Sequence, residues 1–100
     1  MVLRGATGRS LPALLSEHVI GPMGVESDPY YVTDGYGVAF ALGGLNLTTR
    51  DYARMGQTVL NGGTLGGRRI VDAAWLAEST AASAPTAPGA TGYGYQWWVP

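Results

Sequence analysis

Residues 92–100 read GYGYQWWVP, and how that stretch is read decides the fold. As a single strand it places successive side chains on opposite faces, so Trp97 and Trp98 cannot share one core, and each buries about 150–250 Å² when covered. Both faces of such a strand need cover. A chain of 100 residues with three short helices covers one side of a small sheet and would spend nearly everything on covering both. The reading is therefore a strand made for a sheet between helical layers in something larger. The chain also opens at Met1-Val2-Leu3 without a cap or turn signal and stops at Pro100 directly after the strand. The expectation is a piece of a domain.

Composition agrees with a globular chain. It is 46% hydrophobic and 13% charged, enough for one modest core and at most a single domain. The net charge is -1, and all the positive charge comes from Arg4, Arg9, Arg50, Arg54, Arg68 and Arg69. That gives no basic patch for nucleic acid or anionic lipid. No apolar run approaches the roughly 20 residues of a membrane span, and MVLRGATGRS lacks the apolar centre of a signal peptide. With no cysteine there is neither a disulfide framework nor a thiolate site, and the compartment stays open.

Working back from the C-terminus, residues 80–91, TAASAPTAPGAT, read as an exposed connection. Asp72 caps a helix over residues 73–80. In GGTLGGRRIV, residues 62–71, glycine pairs flank Thr64-Leu65, which predicts a tight turn at that two-residue tip with short extended arms. Before it stands GGLNLTTRDYARMGQ, residues 43–57. Here Thr48 caps a helix, Asp51 puts negative charge in its first turn, and Tyr52, Met55 and Val59 follow one face until Asn61-Gly62-Gly63. VAFAL, residues 38–42, reads as a short buried segment, and residues 24–37 show no period. Nearer the start, Ser10 caps a helix carrying Leu11, Leu14, Leu15 and Val19, which Gly21-Pro22 should stop.

The residues that would carry chemistry are sparse. His18 is the sole histidine and the acids are scattered, so no metal site is readable. GGTLGG lacks the Lys-Ser/Thr end of a phosphate loop, and GYGVAF lacks the third glycine of a dinucleotide fingerprint; turns explain both. GRSLP, residues 8–12, misses the nucleophile elbow by a proline in place of its last glycine, which leaves Ser10 as a cap. His18 borders the apolar face near a helix end without a hydroxyl partner in sequence, so a structural role is the better reading. Asn46 sits in a glycine-flanked loop before a helix N-terminus, where donors often converge on a ligand; a simple turn explains its spacing equally well.

Taken in order, TGRSL, GPMGV, GGLNLTTRDYARMGQTVLNGG, GGRRIV, WLAEST and GYGYQWW resemble the serine β-lactamase and penicillin-binding-protein-like hydrolase superfamily. Within it the chain looks most like the branch of class C-like esterases and nylon-oligomer (aminohexanoate-dimer) hydrolases. The resemblance implies an α/β fold of the α+β type, in which an antiparallel sheet carries helices on both faces beside an all-helical region. It also implies acyl transfer on a small-molecule amide or ester, without a cofactor. A serine in an S-x-x-K helix attacks the carbonyl, a lysine and a tyrosine handle the proton, and backbone N–H groups hold the oxyanion.

This chain departs from that pattern, because it has no lysine and so no S-x-x-K. The resemblance puts the nucleophile and the tyrosine motif before Met1 and the late glycine strand motif after Pro100. Residues 1–100 then form a partial domain with no catalytic residue of its own. Gly43, Gly44 and Asn46 correspond to a loop at the pocket rim. Two other classes remain open: a self-standing binding module on the same scaffold, or a truncated relic without independent activity.

Overall fold

The computed structural model describes residues 2–100. It opens with a helix, α1 (Val2–Thr7), in a stretch where no element was expected. The Thr7 hydroxyl donates to Leu3 O (2.7 Å), and Gly8 ends the turn at φ +70°. Met1 lies outside the described residues.

Ser10 caps α2 (Leu11–Leu15) as expected, its Oγ accepting from Ala13 N (3.3 Å). Gly21-Pro22 does not stop this helix. It winds through a π-helical stretch, Ser16–Ile20, into α3 (Gly21–Met23) and ends at Gly24 with φ +63°. Pro22 has no N–H to donate, and its ring would press on the carbonyl four residues back. The wider winding accommodates both losses, because Gly21 N bonds Ser16 O five residues earlier.

β1 (Tyr30–Tyr31) pairs antiparallel with β2 (Leu45–Asn46), Tyr30 opposite Asn46 and Tyr31 opposite Leu45. Between them the chain folds over itself, with Val32 N bonded to Gly44 O and Phe40 N bonded to Val32 O. The Asp34 carboxylate ties the turn by accepting from Tyr36 N and Val38 N. The VAFAL segment is a correction: Val38, Phe40 and Leu42 are exposed, because among the described residues no element packs over these side chains.

Thr48 caps α4 (Thr49–Leu60), accepting from Asp51 N (3.2 Å), and the helix closes at Asn61 before the left-handed Gly62 and Gly63. Its buried face differs from the expected one. Asp51 and Thr58 are buried, while Tyr52 and Met55 stay substantially exposed. Residues 51, 54 and 58 have the same helical spacing as the apolar set; Asp51 and Arg54 face the loop that follows Gly24, and Thr58 lies beside Met23 and Leu76. The hairpin β3 (Thr64–Leu65) and β4 (Arg68–Arg69) turns on Gly66-Gly67, with φ of +56° and +77°. Thr64-Leu65 is thus an arm rather than the tip, because only the glycine pair tolerates two successive left-handed residues.

α5 (Ala73–Ser79) is capped by Asp72, whose carboxylate accepts from Trp75 N (2.9 Å). The GYGYQWWV stretch then departs most from its reading. It is a hairpin, β5 (Gly92–Tyr93) against β6 (Trp98–Val99), closed by Gly94 N to Trp97 O (2.8 Å) with Gln96 at φ +66°. Gly94 lies against the Ser79 and Ala81 carbonyls where no Cβ fits, and Tyr95 N donates to Ser79 O (2.9 Å). Docking onto the end of α5 therefore bends the chain where alternation alone runs it straight. Trp98 packs tilted against Tyr93, at 4.7 Å between ring centroids and 59° between ring planes, but remains 73% exposed, and Trp97 is 37% exposed.

The whole is an α+β arrangement of helices and small antiparallel strand pairs. Its buried apolar side chains among the described residues are Ile20, Met23 and Leu76, joined by the buried polar Asp51, Thr58 and Ser79.

Candidate functional site

The glycine-rich loop that precedes α4 is built by close backbone contact. Gly43 turns the chain at φ +82°. Gly44 is buried, and a Cβ there would run into the Phe40 carbonyl oxygen. Its own carbonyl accepts from Val32 N (2.8 Å) and from the Asn46 side-chain amide (3.1 Å). The structure thus joins Gly44 to Asn46 directly, with Asn46 directing its amide back to the turn. From the far side, the Tyr52 hydroxyl of α4 donates to Leu45 O (3.1 Å), so helix and loop are tied at that point.

Leu45, between Gly44 and Asn46, forms one wall of a cleft of about 480 Å³. The opposite wall comes from α2 and its π-helical continuation, through Leu15 and Ile20, and the floor from Val25, Pro29 and Tyr31. Asp28, Ser16 and Tyr30 supply polar groups along an otherwise apolar lining. Burial, and secondarily the neighbouring Tyr52, pushes the Tyr31 phenol above its ordinary value of 10.0. At neutral pH it is a neutral hydroxyl available as a donor. An apolar slot with a few polar groups suits binding and orienting a small uncharged chain.

Sequence reading missed the support beneath this cleft. Asp51 is 0% exposed, and its carboxylate accepts from Glu26 N (2.9 Å), Thr48 Oγ1 (2.8 Å) and Arg54 Nη1 (2.9 Å). The Glu26 amide is the main cause holding this carboxyl below its ordinary 3.8, with Thr48, Ser27 and Arg54 adding to it against the opposing effect of burial. Arg54 also grips Glu26 (2.7 Å), which lowers the Glu26 carboxyl in turn. The Thr48-x-x-Asp51 spacing was visible as a cap, but the partner loop lies about 25 residues earlier and left no local signal.

Ser10 remains a cap, and His18 is exposed. Neither joins the cleft's polar groups into a nucleophile and base. Among the described residues no three His, Cys, Asp or Glu side chains gather as metal ligands.

No protein-family model matches the chain. It is 31% identical over 106 residues to the 6-aminohexanoate-dimer hydrolase of Paenarthrobacter ureafaciens, covering 97% of this chain and 27% of that protein. A solved structure of a candidate 6-aminohexanoate-dimer hydrolase from Bacillus anthracis superposes with a TM-score of 0.83 at 36% identity, covering 97% of this chain and 26% of that one. The chain thus spans about a quarter of the length of these relatives. Agreement of sequence and backbone over nearly all its residues marks the chain as homologous to a segment, about a quarter of the length, of the aminohexanoate-dimer hydrolases.

Proposed function

We propose that the chain is the pocket-forming segment of a serine hydrolase that acts by acyl transfer on a small-molecule amide or ester. The observation that carries this is the backbone likeness, at 36% identity, to a candidate aminohexanoate-dimer hydrolase across 97% of the chain. In this reading Gly43, Gly44 and Asn46 shape the rim of the substrate pocket, with Leu45 and the apolar floor of the cleft orienting the aliphatic part of the substrate. Binding and orientation contribute to acyl transfer by holding the carbonyl where a nucleophile meets it. The nucleophile itself needs a serine with an activating base, and a chain without lysine has no S-x-x-K to provide one.

The chain alone is therefore inactive, and the same residues within the longer enzyme are not. The test is to read the coding DNA on both sides for an in-frame S-x-x-K and Y-x-N/S upstream, then assay both products on an activated ester and a linear amide. Turnover by the longer product and none by residues 1–100 is the expected result. Turnover by the 100-residue chain that vanishes on replacing one of its own serines sinks the proposal. So does a longer product carrying both motifs that hydrolyses neither substrate.

A further inference from the structure

The cleft floor has an unusual foundation. Among the described residues, no backbone-to-backbone hydrogen bond holds the segment from Val25 to Pro29, although Val25, Asp28 and Pro29 all line the cleft. Surface segments without such bonds open readily. What holds this one is α4: the Asp51 carboxylate accepts from Glu26 N, and Arg54 bridges from Asp51 to the Glu26 carboxylate at 2.9 and 2.7 Å. Arg50 adds a weaker contact to Glu26 from the same helix, at 3.3 Å.

Helix capping alone does not account for this arrangement. Thr48 already accepts from Asp51 N, and an exposed acid in the first turn would serve the helix dipole without burial. Burying a carboxylate with its arginine costs desolvation that an apolar pair avoids. In exchange the carboxylate gives directional bonds to a specific backbone position, which an apolar contact does not.

The same helix also holds the Leu45 wall, since Tyr52, one residue after Asp51, bonds Leu45 O. We infer that Asp51, acting with Arg54 through Glu26, is a positioning residue that sets the spacing between the floor of the cleft and its Leu45 wall and thereby its affinity for substrate. This rests on the hydrolase reading above and identifies what holds its pocket in shape.

The experiment uses the full-length enzyme with Asp51→Asn and Glu26→Gln. Asp51→Asn keeps the shape but turns an amide toward donors. Glu26→Gln removes the ion pairs to Arg54 and Arg50 at the surface and leaves the buried carboxylate intact, so it folds even if the first variant does not. KM for a linear amide should rise roughly ten-fold in Asp51→Asn and about two- to three-fold in Glu26→Gln, with kcat within about three-fold, as loss of uniform substrate binding requires.

Hydrogen exchange in the peptide covering residues 24–30 should speed up in the same order. Unchanged KM in Glu26→Gln alongside faster exchange overturns the proposal, as does a loss of kcat with unchanged KM in either variant. If the unmodified enzyme turns over no amide or ester, the hydrolase reading has failed. The exchange comparison then decides separately, and unchanged exchange in Glu26→Gln rejects the positioning role.

Discussion

Gly43 and Gly44 are neighbours whose glycines answer to different physics. Gly43 has open space around its Cα but sits at φ +82°, so an alanine there carries only the cost of a left-handed backbone, about 1–2 kcal/mol. Gly44 has an ordinary φ but no room, because a Cβ meets backbone at the Phe40 carbonyl. Gly44→Ala must move the arch that carries Leu45, and should cost about 2–3 kcal/mol, more than Gly43→Ala. Urea midpoints of the two variants measure the order; the reverse order means the arch is softer than its contacts suggest.

Asp51 is the other residue-scale case. Its folded pKa lies below the ordinary 3.8, so its contribution is complete above that value and is lost as pH falls through the lower folded value. Glu26, also lowered, acts in the same direction from 4.5 downward. On acidification below about pH 4 the peptide covering residues 24–30 should exchange faster before the global structure goes. Asp51→Asn should shrink that step to the part that Glu26 carries.

At the scale of elements, local rules and long-range contacts divide cleanly. The caps at Ser10, Thr48 and Asp72 were legible because each side-chain oxygen takes its bond from an N–H three residues on, within one turn. The turn role open to Asn46 was legible for the same reason, its amide reaching back two residues to Gly44. The cleft was not, since its walls come from α2, the Val25–Pro29 segment and β2, which only the folded chain brings together. The hairpin at residues 92–99 was misread because period-two alternation cannot see that Gly94 docks on the Ser79 and Ala81 carbonyls. The β3–β4 hairpin offers a prediction of its own. Gly66 and Gly67 hold the two left-handed positions of a primed turn, for which Asn-Gly is a better match. A Cβ at Gly66 meets nothing, so Gly66→Asn should raise stability by about 0.4–1 kcal/mol by restricting the unfolded chain. A lower urea midpoint would mean that the turn is not of the primed type.

At the scale of the molecule, the surface is too large for the mass. A folded monomer of 10.4 kDa exposes about 5,400 Å² by the usual scaling, and this chain exposes 7089 Å². Its radius of gyration is 15.1 Å where about 13 Å is expected for this length. The excess, about 1,700 Å² on this chain alone, is about twice the roughly 800 Å² that each partner buries in a standard protein interface. Much of what it exposes is apolar: Tyr36, Leu42, Leu60 and Trp98 are each mostly in solvent, while the buried apolar set is Ile20, Met23 and Leu76. An apolar surface of that kind is normally covered, and so small a core offsets little of the conformational entropy of ordering the chain. Residues 1–100 on their own should therefore bind a hydrophobic dye such as ANS and unfold in urea over a broad range, with a slope below about 1 kcal/mol per molar. If the chain is a segment of a longer hydrolase, as proposed, the dye signal should vanish in that protein, because the rest of the fold would cover the same side chains. A sharp, cooperative transition of the isolated chain without dye binding would instead make it a self-standing domain, and the binding-module reading would then displace the hydrolase segment.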